Sequence, residues 1–315
     1  MKRRHVVRLE GVALKTQRWI NFQGRYDFVD RSNGSDRLAV VLAGYKAYLW
    51  PLTLARLERF APPDIDVCVA SPGVHRRDLS ELCERRGWSY LATKANYPSL
   101  AQNLAIREHP AARFIFKIDE DIFIGEGFFE RLLAAYQRVE AEATYRVGFL
   151  SPLLNVNGYS YVSFLDALEA GDEYRSRFGP LTHAAGGIPA TEDGAAARWL
   201  WEKSLAFDDT AALFAAQPPR YSVVPHKFSI GAILFERQFW DYIRGLRVRP
   251  FVGGVGVDEQ YLCIACMTFS RAMIVAHDVF AGHFSFGPQE VVMRRALGAL
   301  EPGLLLPDAA PVTTS

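Results

Sequence analysis

The sequence predicts an α/β protein whose central sheet is mostly parallel and flanked by helices. From Leu38 onward, short apolar runs rich in β-branched residues alternate with segments of helical spacing. This alternation is typical of βαβ units, in which each strand connects to the next through a helix. The chain has 315 residues, 50% of them hydrophobic, which is enough for a sizeable core.

The predicted strands are apolar runs that end at turn-forming residues. Gly44 stops the first run, and Ser71-Pro72-Gly73 stops the second. By this criterion, strands are predicted over residues 38–43, 65–70, 89–92, 113–118, 147–150, 229–235 and 273–276.

The predicted helices carry apolar residues every three to four positions. Leu52, Leu54, Leu57 and Phe60 give this spacing in the first of them. Ser99 is the expected N-cap of the third. Helices are predicted over residues 51–60, 78–86, 99–108, 125–142, 238–244 and 258–269.

Three segments fall outside this alternation. Residues 1–36 are expected to form an N-terminal extension, and residues 301–315, rich in Pro, Ala and Thr, a flexible tail. Residues 155–220 carry many Gly, Ala, Pro and aromatic residues without a clear period, which predicts an irregular insertion or lid. Residues 37–300 are predicted to form a single domain that contains this insertion.

Composition excludes several classes of function. The net charge of +1 does not indicate general nucleic-acid binding. No apolar run reaches the ~18 residues that span a bilayer, and the first ten residues lack the apolar part of a signal peptide. We therefore expect a cytoplasmic protein with at most peripheral contact at the inner face of a membrane.

The four cysteines fit a reducing compartment. Cys68 lies in a strand pattern, Cys83 in a helical one, and Cys263 and Cys266 in an apolar helix. The last two have CxxC spacing, but no second pair or suitably spaced histidines accompany them. Burial as small hydrophobic side chains is the expected role.

Three consecutive acids, Asp119, Glu120 and Asp121, follow the apolar run at residues 114–118. Open α/β sheets bind ligands at the carboxyl ends of their strands. Crowded carboxylates need a cation, and Mg²⁺ or Mn²⁺ bound with a phosphate-containing ligand is the usual one. Asp119 and Asp121 can share one side because successive strand residues face opposite sides. A charged surface turn is the alternative.

A second acidic pair, Asp258 and Glu259, follows a glycine-rich loop at a predicted helix start. The helix dipole stabilises ionised carboxylates there. A carboxylate held near a sugar hydroxyl could accept its proton. Ordinary helix capping by Asp258 is the alternative, and the two roles need not exclude each other.

A late histidine, His283, follows the last predicted strand at the end of His277-Asp278-Val279-Phe280-Ala281-Gly282-His283. A neutral imidazole there could complete a metal site begun by Asp121. A structural histidine is the alternative.

In their order and spacing, these motifs resemble those of nucleotide-sugar glycosyltransferases of the GT-A fold, most of all glycosyltransferase family 2. The resemblance is carried by residues 96–103, by the strand ending in Asp119 to Asp121, and by Asp258-Glu259-Gln260-Tyr261-Leu262 with His283 following. It spans residues 37–290. It implies a Rossmann-like domain with a nucleotide-sugar-binding half at 37–154 and an acceptor-binding and catalytic half at 221–300.

The resemblance also implies residue roles. Asp121 would bind the metal that bridges the donor diphosphate, Asp119 the ribose or the metal's water shell, and His283 would be a further metal ligand. Glu259 matches the catalytic base of the family, with Asp258 as the alternative. The residues expected to contact the donor are Ala43, Gly44, Tyr45, Lys46, Asn96, Asn103, Lys117, Asp119 and Glu120.

The implied activity is transfer of a hexose from a nucleotide-diphosphate sugar, with a UDP-sugar as the first choice, to a hydroxyl of a saccharide or glycolipid. Inversion at the sugar and a need for Mn²⁺ or Mg²⁺ are implied as well. The family's habits suggest a bacterial enzyme of surface-polysaccharide or glycolipid assembly.

The chain departs from the family pattern at three places. No acid follows the second strand, Gln102 stands where the family has an arginine, and Asp258-Glu259 reverses the usual order, which leaves the base and inversion open. A catalytically inactive sugar- or nucleotide-binding homologue is one alternative. A haloacid-dehalogenase-like phosphatase is another, although its motif is expected near the chain start with Thr or Val in the place of Phe123.

Overall fold

The structure is a computed structural model that describes residues 17, 19–249 and 256–306. They form a mixed α/β fold with a mostly parallel central sheet flanked by helices, which confirms the predicted fold class. The chain divides into two compact units. Of the described residues, the first unit holds those up to Tyr45, Pro63–Asp119 and those from Leu234 to Arg271, and the second holds the others.

The strands are β1 (Tyr26–Val29), β2 (Arg37–Leu42), β3 (Asp66–Ser71), β4 (Ser89–Thr93), β5 (Phe114–Asp119), β6 (Ile122–Ile124), β7 (Val147–Leu154), β8 (Tyr221–Val223), β9 (Ala232–Glu236) and β10 (Ala272–His283). The first six of the seven predicted strands match β2, β3, β4, β5, β7 and β9 within a few residues at each end.

The α-helices are α1 (Trp50–Phe60), α2 (Arg77–Arg86), α3 (Pro98–Glu108), α4 (Phe128–Glu142), α5 (Ser160–Ala167), α6 (Gly171–Phe178), α7 (Pro189–Glu192), α8 (Gly194–Lys203), α9 (Phe207–Ala215), α10 (Arg237–Tyr242), α11 (Val257–Thr268) and α12 (Glu290–Leu300). Short 3₁₀ helices cover Gly287–Gln289 and Glu301–Gly303.

The first unit contains the strand order β1-β4-β3-β2-β5. The pairs of β2 with β3, β2 with β5 and β3 with β4 are parallel, and β1 is antiparallel to β4. Every residue of β3 and β4 is buried, as expected for parallel strands with both faces covered. The predicted N-terminal extension thus contributes β1 to this sheet.

The second unit contains β7 and β6 on either side of β10, with β8 also paired to β10. The pair of β7 with β10 is parallel, and the pairs with β6 and β8 are antiparallel. The strand predicted at 273–276 is too short, because β10 continues to His283. The polar residues His277 and Asp278 lie at an irregularity between Ala276 and Phe280, which explains the early end of the apolar run.

Residues 155–220 are not irregular, which corrects that prediction. They form five helices, α5 to α9. Their aromatic residues are core residues of the second unit: the ring of Phe164 stacks on Phe214 and Phe280 with centroids 5.9 and 5.6 Å apart. Glycine and proline at the starts of these short helices interrupt the hydrophobic period that sequence analysis depends on.

The predicted N-cap Ser99 is wrong, and so is the alternative in which Asp258 caps its helix. Helix α3 begins at Pro98, with Tyr97 rather than Ser99 at the N-cap. The N-cap of α11 is Gly256, whose φ of 87° lies in the left-handed region that glycine tolerates best. Asp258 therefore lies inside the first turn of α11 and does not cap it.

Cys68, Cys83, Cys263 and Cys266 are all buried as thiols outside any disulfide bond, which confirms the expectation that they are small core side chains. Among residues 17, 19–249 and 256–306, no helix is both long enough and apolar enough to cross a membrane.

Candidate functional site

In the first unit, the loop after β2 contacts the loop after β3. The backbone N–H of Ala43 donates to the carbonyl of Ala70 at 3.1 Å. The hydroxyl of Tyr45 donates to the carbonyl of Pro72 at 2.6 Å, while the rest of the Tyr45 side chain is exposed. These contacts hold Gly44 and Tyr45 at the carboxyl end of β2, where the sequence predicts donor contacts.

Asn96, another predicted donor contact, is exposed and packs its backbone against Gly73. A Cβ atom at Gly73 would lie 2.7 Å from the Cα of Asn96, so only glycine fits there without movement. Asn96 and Asp258 also line a small depression of about 20 Å³ in the first unit. A donor role for Asn96 remains a prediction.

Asn103, by contrast, has a structural role. Its side chain is fully buried, and its amide N–H groups donate to the carbonyls of Asn21 and Leu246 at 2.8 and 2.7 Å. Its amide oxygen accepts from the Trp240 ring and from the backbone of Leu246. Both N–H groups and the oxygen are thus bonded inside the first unit, and a contact of Asn103 with the donor remains a prediction.

Lys117 and Asp119 lie two residues apart on β5 and face the same side of the sheet. The ammonium of Lys117 is buried and bonds the Asp119 carboxylate at 2.6 Å. The Asp119 side chain keeps 33% of its surface exposed. The Asp119 carboxylate is therefore partly exposed at the end of β5, and the Lys117 ammonium balances part of its charge.

The two acids of α11 have different surroundings. Asp258 is buried, and its Oδ2 accepts from the side-chain amide of Gln102 at 2.8 Å. Glu259 is half-buried. Gln102, where the family pattern has an arginine, thus binds an acid of the first unit, and Glu259 is the more accessible of the two predicted bases.

In the second unit, Asp121 is buried and forms an ion pair with Lys46 at 2.5 Å. Burial opposes the charge on Asp121, but Lys46 and, when its ring is protonated, His283 outweigh it and hold the pKa of this carboxyl below its usual range. Burial likewise opposes the charge on Lys46, and Asp121 outweighs it, so the pKa of Lys46 is raised. Both groups are therefore charged at neutral pH.

His283 lies beside this ion pair at the end of β10. Its Nδ1 lies 2.8 Å from the carbonyl oxygen of Val156, and its Nε2 lies 3.6 Å from Oδ2 of Asp121. A carbonyl oxygen only accepts, so Nδ1 carries a proton. In the neutral ring, the Nε2 lone pair is then directed to Asp121, an arrangement common for metal-binding histidines.

The side chain of Glu120 makes a different contact from that of Asp121. Its carboxylate is buried and accepts from the Trp50 ring N–H at 2.6 Å, both residues being in the second unit. An indole can only donate and Glu120 is an acceptor when ionised, so the contact satisfies both groups. This contact fixes the start of α1, and the predicted contact of Glu120 with the donor remains untested.

The donor atoms of Asp121 and His283 suit a divalent cation. A carboxylate oxygen and an imidazole nitrogen are ligands that Mn²⁺ accepts, and phosphate oxygens and water commonly complete such sites. Within the described part of the chain, no group of three or more His, Cys, Asp or Glu residues is placed to hold a metal ion. The predicted ligand set of Asp119, Asp121 and His283 remains a prediction.

Sequence analysis did not predict three supporting contacts. Trp50 binds Glu120, Gln102 binds Asp258, and Asn155 accepts from the backbone N–H of His283 at 3.0 Å. Each partner is at least 70 residues away along the chain. Of these contacts, only that of Gln102 had a sign in the sequence, because Gln102 stands where the family pattern has an arginine.

Comparisons with known proteins give structural likenesses only. No protein-family profile matches the sequence, and no curated protein matches it. Mannosyltransferase PcManGT from Pyrobaculum calidifontis, solved with GDP-Man and Mn²⁺, is similar at a TM-score of 0.48 and 13% identity, over 91% of this chain and 69% of that one. TarS 1-349 from S. aureus is similar at a TM-score of 0.45 and 9% identity, over 87% and 67%.

A further structure, S. aureus TarS 1-349 in complex with UDP-GlcNAc, aligns at a TM-score of 0.31 and 15% identity, over 38% of this chain and 34% of that one. At TM-scores below 0.5, none of these likenesses carries an argument about activity. Any functional conclusion therefore rests on the residues of this chain.

Proposed function

We propose that this chain is a metal-dependent glycosyltransferase of the GT-A type that uses a nucleotide-diphosphate sugar, with UDP as the first nucleotide to test. The observation that supports it best is the group formed by Asp121, His283 and Lys46. It combines two metal-ligand side chains with a cation that can bind phosphate. The polar ends of β2 and β5 in the first unit, Tyr45 and Asp119, agree with a nucleotide ligand.

Asp121 and Nε2 of His283 would hold the metal ion, with phosphate oxygens and water as the other ligands. The metal would neutralise charge that develops on the departing diphosphate. Lys46 would contact the same phosphates through its ammonium group. Val156 keeps the His283 ring in the tautomer that this role requires, because its carbonyl accepts from Nδ1.

Glu259 would act as the base. It would accept the proton of an acceptor hydroxyl while the hydroxyl oxygen bonds to the anomeric carbon and the bond to the diphosphate breaks. Asp258 would have the supporting role, because its carboxylate is buried and bonded to Gln102. Displacement by the acceptor itself would invert the configuration of the sugar.

Calorimetric titration with UDP, GDP, TDP and CMP, each with and without Mn²⁺, tests this proposal. We expect one diphosphate to bind in an Mn²⁺-dependent manner. Asp121→Asn should weaken that binding about a hundredfold, because a metal ligand is lost. Asp209→Asn, which changes an exposed acid in the first turn of α9, is the matched control and should bind normally.

Two outcomes would overturn the proposal. If none of the four nucleotides binds, the chain is not a glycosyltransferase of this class. If Asp121→Asn binds as tightly as the unchanged protein, the metal role of Asp121 is wrong. Binding without any sugar transfer or hydrolysis would favour the inactive homologue.

A further inference from the structure

An exposed apolar patch lies in the first unit around α11. It consists of Tyr242, Ile264, Met267 and Phe269, whose exposed fractions are 61, 41, 53 and 42%. The rings of Tyr242 and Phe269 pack edge to face with centroids 4.9 Å apart, so the end of α10 and the end of α11 form one surface. We call these four residues the α11 patch.

The outer face of α11 carries two exposed apolar side chains, Ile264 and Met267, beside the polar Gln260 and Thr268. Leu262, Cys263 and Cys266 are buried and form its inner face. Ile264 and Met267 are three residues apart and therefore lie side by side on the outer face. Helices that cover a core usually have charged and polar residues on their outer face. The exposed apolar side chains of α11 therefore indicate a surface that binds another molecule.

Arginines accompany the patch. Arg244 and Arg247 are exposed and follow Tyr242 in the sequence, and Arg271 comes two residues after Phe269. The guanidinium of Arg247 lies 4.6 Å from the centre of the Tyr261 ring on α11, and that of Arg271 lies 5.5 Å from the Phe239 ring.

The surroundings of the patch are basic overall. Stretches 241–249 and 257–271 contain the arginines at positions 244, 247, 249 and 271 and the acids Asp241, Asp258 and Glu259, of which Asp258 is buried. The α11 patch therefore combines exposed apolar side chains with an excess of positive charge.

We infer that the α11 patch binds the surface of an anionic phospholipid bilayer. Aromatic and aliphatic side chains would enter the boundary between headgroups and acyl chains, and the arginines would contact lipid phosphates. A second copy of the chain fits less well, because a patch that meets its own copy brings the arginines of both copies together. The inference goes beyond the proposed function and does not depend on it.

Sedimentation of the full chain with vesicles tests the inference. Vesicles of phosphatidylcholine alone should bind weakly, and vesicles that also contain phosphatidylglycerol should bind well at low salt and less at high salt. Arg244→Gln with Arg247→Gln should lower the partition coefficient about thirtyfold, since each arginine contributes roughly fivefold. Met267→Ser with Phe269→Ser should lower it about tenfold through lost apolar burial.

Two control variants separate the patch from bulk properties. Arg85→Gln with Arg86→Gln removes the same charge from the exposed end of α2, and Val291→Ser changes a side chain that is 62% exposed on α12. Both should bind vesicles like the unchanged protein. Thermal unfolding followed by circular dichroism checks that every variant is folded, without reference to nucleotide binding.

Three results would overturn the inference. The first is absence of binding to phosphatidylglycerol vesicles. The second is an equal loss in the Arg85 and Arg86 control, which would assign binding to net charge. The third is a dimer in sedimentation velocity that Met267→Ser with Phe269→Ser dissociates, which would make the α11 patch a contact between copies.

Discussion

The Arg56–Asp208 and Lys46–Asp121 ion pairs of the second unit differ in how fully their cations are enclosed. The Arg56 side chain has no exposed surface, and it donates to both oxygens of Asp208 at 2.7 and 2.9 Å. It also donates to the backbone carbonyls of Leu304 and Ile124. The Lys46 side chain keeps 22% of its surface exposed.

This difference separates a structural pair from one that can exchange partners. Each nitrogen of the Arg56 guanidinium is bonded within the unit, so the pair joins α1 to α9 and to the C-terminal segment. Lys46 and Asp121 lie beside His283, and Lys46 retains access to solvent while Asp121 is buried. The proposed phosphate and metal ligands would replace the contact between Lys46 and Asp121, whereas loss of Asp208 would leave the charge of Arg56 buried and unpaired.

The first unit repeats the contrast on a smaller scale. Asp258 is buried and bonded to Gln102, and Glu259 next to it is half-buried. Asp258 is thus the more enclosed of the two acids, and Glu259 keeps more of its surface exposed.

The largest effect is expected for Glu259→Gln, which tests the difference between Glu259 and Asp258. Loss of a general base should lower turnover of the nucleotide sugar about a thousandfold and leave the affinity for the nucleotide diphosphate unchanged. Steady-state kinetics and calorimetry measure the two quantities. Glu202→Gln, a partly exposed acid on α8, is the control. Turnover that survives Glu259→Gln would contradict the assignment of the base.

The next largest effect compares the two ion pairs directly. Asp208→Asn leaves the fully buried Arg56 without its countercharge and should lower the free energy of unfolding by about 3 kcal/mol. Asp121→Asn leaves Lys46 with access to water and should cost about 1 kcal/mol. Urea unfolding of both variants gives the comparison. Equal losses would show that the Lys46 pair is structural as well.

A smaller effect is expected from Gln102→Leu. The buried Asp258 carboxylate would lose a hydrogen bond, which should cost about 2 kcal/mol in the free energy of unfolding. Turnover should change only a few-fold if Glu259 is the base. A much larger fall in turnover, at unchanged nucleotide affinity, would instead identify Asp258 as the base that Gln102 positions.

The smallest effect concerns His277, a half-buried residue whose surroundings disfavour the protonated ring. Burial and, after it, Arg220 lower the pKa of His277, against the weaker opposite influence of Asp278 and Asp166. Below about pH 6.5 the unfolded chain then binds more protons than the folded one, so this residue makes stability fall as the pH drops.

His277→Gln should therefore show a smaller loss of stability than the unchanged protein on going from about pH 7.5 to about pH 5.5. Urea unfolding at the two pH values measures it. Because Nε2 of His277 lies 3.0 Å from the Ser222 hydroxyl, glutamine can keep a polar contact there. An unchanged pH dependence would contradict the lowered pKa.

The core strands could be predicted from the sequence because burial on both faces leaves a continuous apolar run. Strands β2, β3 and β5 were found for this reason, and so was the position of Asp119 at the end of β5. The short strands β1, β6 and β8, which have only three or four residues each, carry too little apolar pattern to be recognised.

The candidate site was less predictable because its contacts join distant parts of the chain. Trp50 and Glu120 are 70 residues apart, and Gln102 and Asp258 are 156 apart. Asn103, which a motif assigned to the donor, places its side chain among Asn21, Trp240 and Leu246, and these contacts were not predictable from the motif.

The irregularity in β10 determines which face of the sheet His283 occupies. Ala276 is paired with Pro152 and Phe280 with Leu153, so three additional residues enter β10 where β7 has none. Side chains alternate between faces along a strand, and an odd number of extra residues reverses that alternation. Deletion of a single residue among His277, Asp278 and Val279 would turn the imidazole away from Asp121. The number of residues between His277 and His283 therefore matters more for the position of the imidazole than the identity of most side chains in that segment.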